Sequence, residues 1–473
     1  MTLEARIRKV AVVGAGPAGL YATKALVDAR PAVTVDVFDR LPAPFGLVRY
    51  GVAPDHAKTK SVQRVLAKAL TAPGVRFVGN VHVGADASLA ELMEFYDAVL
   101  LAAGSWRDNM LGIIGEDLHG SYGSVEFVGW YSGHPDQSTF EPPLDHAGAV
   151  IVGGGNVALD LARVLARSST EMASTDIPDR VLGQLEHSRV TDIHVLVRRG
   201  PGEARFTPDV LRELGELENA DVVVHSDIPI VPEEAPGEEV ALRRRSENVA
   251  LLAAWHGSPP PERTKPRRLH LHFHTRPVRI LGSGRVEAVE LEIGQPGQGG
   301  GRTVRTETVK AGLVLRAIGY RCHLIEGLPI DEVTGTVPNR AGRVVDSEAA
   351  IERLYVAGWM KRGPSGVIGT NRSDALETVK SLLEDLDTSP PPARIGDDLV
   401  EILRRRGARP TSWEAWLRLD AEEVRRGSRR HAARVKLGDP AAELEICGTQ
   451  PGQGKRPSGS PRCHEPEGVL SRP

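Results

Sequence analysis

"KVAVVGAGPAGLYATKALVDA", residues 9–29, decides the fold. It opens on a β-branched apolar run, turns through Gly14, Gly16 and Gly19, and continues with the apolar spacing of a helix. An apolar run without polar alternation marks a strand buried on both faces, as in parallel sheets covered by helices. A second copy of the pattern, "AVIVGGGNVALDLARVLARS" at 149–168, carries Gly153, Gly155 and Ala158 at its turn. The expected fold class is α/β with two Rossmann-like dinucleotide-binding units.

A G-x-G-x-x-G turn between strand and helix brings backbone N–H groups against a pyrophosphate at the helix N-terminus. The strand after the first turn, in "TVDVFDR" at 34–40, closes on Asp39, placed to accept a hydrogen bond from a ribose hydroxyl. The corresponding strand of the second unit, in "HVLVRRGP" at 194–201, closes on Arg198 and Arg199. A carboxylate there would repel a 2′-phosphate, whereas guanidinium groups bind one through charge-assisted hydrogen bonds. At roughly 1.5–3 kcal/mol per charged bond, two arginines favour NADP(H) over NAD(H) by on the order of 100-fold. The plain alternative is a solvated basic turn. Gly155 and Arg198 lie about twice as far apart as the usual ~20 residues. The excess, "SSTEMASTDIPDRVLGQLEHSRVTD", is expected to be an insertion or a helical excursion. Opposite charge at the two strand ends implies two nucleotides, FAD in the first unit and NADP(H) in the second. Hydride then passes from nicotinamide to flavin with reacting atoms roughly 3–3.5 Å apart.

Length and composition narrow the function classes. The 473 residues, 41% hydrophobic with 4% aromatics, suffice for two or three compact cores. A formal net charge of −3 gives no electrostatic footprint for nucleic acid or an anionic membrane, so neither partner is expected. Cys322, Cys447 and Cys463 lie far apart, which provides no disulfide framework, metal set or redox dithiol. The N-terminus runs straight into a strand, and no apolar run approaches the roughly 18 residues of a spanning helix, so a cytoplasmic protein is expected. Farther on, "LHLHFHTRPVRIL" and "RVEAVELEIG" read as antiparallel strands, the latter leading into a tip "QPGQGGGR". From about residue 448 the chain is Pro, Gly and charge without apolar period, expected to be a disordered tail.

Four longer blocks carry a resemblance: "GLVRYGVAPDHAKTK" at 46–60, "GGGNVALDLAR" at 153–163, "RRGPGEARFTPDVLREL" at 198–214 and "GWMKRGPSGVIGTN" at 358–371. Together they resemble the adrenodoxin reductase type of ferredoxin–NADP reductase, from about residue 8 to about 438. The resemblance implies an NADP domain, 108–325, inserted into an FAD domain made of 1–107 and 326–447, with 448–473 left over. It implies FAD contacts at Gly14, Gly16, Ala18, Gly19, Asp39, Leu47 and Val83, and, near the flavin ring, Trp359, Gly366, Val367 and Ile368. NADP contacts would fall at Gly155, Asn156, Val157, Arg198, Arg199 and Gly366. His56 and Glu213 match a histidine and a glutamate that the family places near the flavin–nicotinamide contact. Read without the family, they are a loop histidine and a surface helical glutamate. Where the family commonly carries an acid near NADP, this chain has Val210, preceded by Asp209.

The implied partner is an acidic iron–sulfur ferredoxin, for which Arg212 and the run Arg243, Arg244, Arg245 are candidate docking residues. Competing readings are a flavin monooxygenase and a catalytically silent flavoprotein sensor. A thiol–disulfide flavoreductase shares the two-nucleotide plan but needs the cysteine pair that this sequence lacks.

Overall fold

A computed structural model describes residues 7–231, 240–258, 262–296, 302–323, 325–347 and 349–448. The tip at 297–301 and the tail beyond Gly448 lie outside these residues. Lys9–Val13 forms the expected strand, with Val10 and Val12 packed on one side of its sheet and Ala11 and Val13 on the other. Burial on both faces is why the run shows no polar alternation. Thr34–Phe38 and Ala98–Leu101 flank it, both parallel, Val75–Val78 pairs beyond Thr34–Phe38, and Ala349–Val356 returns from late in the sequence to pair beside Ala98–Leu101. Two short antiparallel strands, Asn339–Arg340 and Arg343–Asp346, complete the seven-stranded sheet.

The second sheet has six strands, each pairing in it parallel. Its core strand Gly148–Val152 is again buried on both faces. Ala149 and Ile151 pack among helices, while Val150 and Val152 meet a three-stranded antiparallel sheet. This sheet draws its strands from residues 121–316, between segments of the first sheet, so one α/β unit is inserted into the other. The antiparallel pair Ser105–Asp108 and Tyr320–Cys322 lies where the chain leaves and re-enters the first unit.

One expectation needs correction. The stretch at 269–281 is not one antiparallel strand: Arg267–Phe273 joins the parallel sheet between Asp192–Val197 and Ala220–His225. His274, at φ +55°, then turns the chain into Thr275–Leu281, which is antiparallel. Its alternating polar positions His270 and His272 lie on the face toward the three-stranded antiparallel sheet, opposite Leu269, Leu271 and Phe273 on the helix side. The long gap before Arg198 resolves as helical: Asn156–Ala166, Ser169–Met172 and Asp179–Glu186 fill it.

Candidate functional site

Each glycine turn lies at the C-terminal edge of its parallel sheet, where open α/β sheets bind ligands. Gly14 adopts φ +111°, and a Cβ there would come within 2.4 Å of the Ala102 carbonyl oxygen. Only glycine fits this approach. The helix Pro17–Ala29 starts from Gly16 without a side-chain cap, so its first N–H groups face the turn. Asp39 stands beside them: its carboxylate accepts hydrogen bonds from Ala15 N–H (2.8 Å) and Leu41 N–H (3.0 Å). Burial pushes this carboxyl up, with the two N–H groups partly offsetting it. Phe45 N–H donates to the Ala15 carbonyl and Gly46 comes against Gly16, folding the 46–60 block over the turn. Leu47 there is 41% exposed, and Val83 lies buried in the loop after Val75–Val78.

At the second turn the helix Asn156–Ala166 likewise starts from an uncapped glycine, Gly155, before which a Cβ would meet nothing within 4 Å. That open space in front of free N–H groups suits a pyrophosphate. Asn156 fixes the facing loop by accepting from Thr207 N–H at 2.8 Å, and Val157 packs partly buried behind the turn. Arg198 and Arg199 are exposed, Arg199 standing 3.9 Å from Glu203. Arg205, which the sequence reading missed, is exposed beside them, its N–H bonded to the Gly154 carbonyl at 2.7 Å. "RRGPGEAR" offered a signal for it in the recurrence of arginine after a Gly-Pro turn.

Between the units the structure joins the two residues implied by resemblance. His56 Nε2 and Glu213 Oε2 lie 2.7 Å apart although 157 positions separate them in the chain. His56 ends a loop of the first unit; Glu213 sits on the helix Pro208–Gly215 of the second. Beneath them Arg163, fully buried, binds Asp55 (2.6 and 3.1 Å), contacts Asp160 at 2.8 Å and reaches Glu213 at 3.3 Å. Burial raises the Glu213 carboxyl, but the His56 hydrogen bond and the Arg163 charge outweigh it and leave Glu213 below its ordinary value. Burial also opposes ionised Asp55, yet the Arg163 hydrogen bond and charge bring it to about 2. Asp160 remains raised because burial prevails over Arg163. Asp55, Asp160 and Arg163 were not legible as site residues, since the network exists only once the two units meet.

The late block returns to the first turn. A Cβ on Gly358, φ +74°, would come within 2.6 Å of the Ala18 methyl, so this turn seats directly on the first helix. Trp359 follows and stacks on Tyr320 at 5.9 Å with planes 15° apart. Gly366 has φ +79°, and Thr370 Oγ1 accepts the Val367 N–H at 3.2 Å. Val367 is 58% exposed, while Ile368 packs against the core. Residues 364–367 thus offer an exposed backbone surface beside Trp359. Among the docking candidates, Arg212 is ion-paired with Asp209 and Glu247, both at 2.7 Å. Arg243, Arg244 and Arg245 are exposed on the helix Val240–Gly257, and Val210 packs partly buried against the core. Cys322 and Cys447 are buried and free, Cys463 lies outside the described residues, and no helix among the described residues is long and apolar enough to cross a membrane.

Comparison with known proteins agrees with this geometry. Residues 8–200 match the family described as pyridine nucleotide-disulphide oxidoreductase. The chain is 39% identical to the mitochondrial NADPH:adrenodoxin oxidoreductase of Arabidopsis thaliana over 90% of its own length and 93% of that protein. It is 38% identical to NADPH-ferredoxin reductase FprA of Mycobacterium tuberculosis, over 92% of this chain and 98% of that one. The structure of the M. tuberculosis protein in complex with NADPH superposes with a TM-score of 0.85 at 38% identity, covering 93% of this chain and all of the other.

Proposed function

The chain belongs to the family of NADPH:adrenodoxin and NADPH-ferredoxin reductases, and from that premise we infer that it is an FAD-dependent oxidoreductase moving electrons between NADPH and an iron–sulfur ferredoxin. The observation that carries the reading is two uncapped glycine turns whose neighbouring strands end in opposite charge, Asp39 in one and Arg198 with Arg199 in the other. When bound, FAD would supply the redox chemistry that links a two-electron hydride donor to a one-electron acceptor. The absence of a cysteine pair from the sequence sets this chain apart from disulfide-reducing flavoproteins of similar plan.

The chain's residues bind, orient and exclude water. In this reading residues 1–107 and 326–447 hold FAD and residues 108–325 hold NADP(H). The helix N-terminus at Gly16 receives the FAD pyrophosphate and Asp39 its ribose. The turn at Gly155 to Val157 receives the NADP pyrophosphate, and Arg198, Arg199 and Arg205 its 2′-phosphate. The exposed backbone at Gly366 to Ile368 and the Trp359 ring bound the place where the nicotinamide would lie. His56 and Glu213 close that place from both units, with Glu213 ionised and its proton-accepting oxygen held toward His56 Nε2. The acceptor side is assigned to Arg243, Arg244 and Arg245, with Arg212 held in place by its two acids.

Anaerobic titration of the yellow holoprotein tests the reading. NADPH should bleach the flavin at far lower concentration than NADH, and an added iron–sulfur ferredoxin should restore the oxidised spectrum. Bound FAD that NADPH does not reduce would overturn it, as would an oxygenated flavin intermediate formed on mixing the reduced protein with oxygen.

A further inference from the structure

Four histidines meet on one face of the second sheet, where His225 ends the strand Ala220–His225. In parallel register, His270 lies opposite His194 and His272 opposite His225. His270 and His272 are two residues apart on one strand and therefore share a face. The rings stack in pairs, His194 on His270 at 4.6 Å and His225 on His272 at 4.4 Å, each pair within 8° of parallel. Across the pairs, His194 Nδ1 and His272 Nε2 are 3.0 Å apart, and His225 Nε2 and His270 Nδ1 are 2.9 Å apart. Farther along the same face the packing is apolar: Leu196, two residues on from His194, packs with Val289, Leu291 and Val309 of the antiparallel sheet.

The rings face one another with their nitrogens, and an imidazole ligates metal through a neutral ring nitrogen. The charged groups that act on them are Asp192, Asp227 and Glu307 against Arg305, with Arg263 paired to Asp192.

We propose that His194, His270 and His272, with His225 as the fourth ligand, form a binding site for one divalent transition-metal ion of the imidazole-preferring class, zinc(II) foremost. One nitrogen from each of the first three lies within 4.8 Å of the others. Tetrahedral zinc with bonds of about 2.0–2.1 Å sets its ligand nitrogens roughly 3.3 Å apart, close to the 3.0 and 2.9 Å contacts across the pairs, and the two rings of each stacked pair must turn out of parallel to aim their nitrogens at one ion. A second observation points the same way: His270 Nε2 faces Asp192 Oδ1 at 3.5 Å, leaving Nδ1 for the cluster. That is the carboxylate–histidine–metal arrangement by which outer carboxylates orient a ligand ring. The ion would tie Asp192–Val197, which leads to Arg198, to both strands beside it. Its role is to brace the three strands against one another, with no part in nucleotide binding or electron transfer.

The test uses tag-free, FAD-loaded full-length protein stripped with chelator and dialysed against zinc chloride, with metal and FAD counted in the same sample. One zinc per FAD is expected, with a raised melting temperature. His194→Asn and His272→Asn should each weaken binding by more than the roughly 10–100-fold that loss of an outer-sphere partner costs. Asp192→Asn should fall within that range, and all three variants should keep NADPH–ferricyanide turnover. Copper(II) bound to the unmutated protein should show electron-resonance splitting from at least three nitrogens, a readout that does not depend on the variants folding. Binding below one ion per FAD, equal binding by the histidine variants, or splitting from fewer than three nitrogens would each overturn the site.

Discussion

At the first glycine turn a Cβ added to Gly19 would lie 1.9 Å from the Gly14 carbonyl oxygen, whereas the second turn carries the methyl of Ala158 at the same place. The first helix therefore sits tighter on its strand than the second. The strand ends differ in the same sense. Asp39 is tied into its turn by two backbone N–H groups, while Arg198 and Arg199 project as exposed side chains with, among the described residues, no ion pair beyond Glu203 at 3.9 Å from Arg199. One edge is built into the fold and the other is left open to solvent. That is the division expected between a nucleotide that is retained and one that exchanges.

The sharpest way to break this contrast is at the third turn position. Gly19→Ala forces a methyl into a backbone carbonyl and should cost more than about 3 kcal/mol, read as loss of melting temperature and of retained FAD. The matching change Ala158→Gly should cost only about 1 kcal/mol and leave FAD bound. Equal losses would show that the two turns are not differently packed. Next comes the double variant Arg198→Ala with Arg199→Ala, which should raise KM for NADPH on the order of 100-fold while leaving KM for NADH nearly unchanged. A parallel rise in both would remove the arginines from 2′-phosphate recognition.

The contact between the two units can be weighed by pH. The folded-state value of Asp55, about 2, lies below its ordinary 3.8, so the stabilisation is present above about pH 4 and is lost as pH falls toward 2. Asp55→Asn should therefore cost on the order of 2 kcal/mol at pH 7 and far less near pH 2, measured by denaturant unfolding at both. Glu213→Gln, by comparison, keeps the shape of the His56 contact but removes the charge. A roughly tenfold fall in kcat with NADPH and ferricyanide, and an altered pH profile with little change in melting temperature, would mark it as acting at the junction. Smallest of all, Arg244→Glu with Arg245→Glu should slow ferredoxin reduction several-fold at low salt and leave ferricyanide reduction intact.

The sheets were legible because strands buried on both faces leave uninterrupted apolar runs in the sequence, and the glycine turns because close backbone approach excludes a side chain. The strand-end charges could be placed because each closes the next strand after its turn, although extra helices put the second one much farther along the chain. Where the reading went astray, at residues 269–281, alternation meant something else: the polar residues are histidines turned toward a second sheet, and a single left-handed residue, His274, separates a parallel strand from an antiparallel one. The Arg163 network lay beyond sequence reading because its members belong to distant segments, and buried charges are acceptable only when partners from those segments arrive together.

By itself the sequence determined the two nucleotide units and the sign of charge at each, since these follow from local periodicity and from what glycine alone allows. Tertiary structure decided what no local pattern contains: His56 against Glu213, Gly358 against Ala18, Arg205 beside the second turn, and four histidines on one face. Each of these depends on strand order and on the return of a late segment to an early sheet, so the contacts are set by topology.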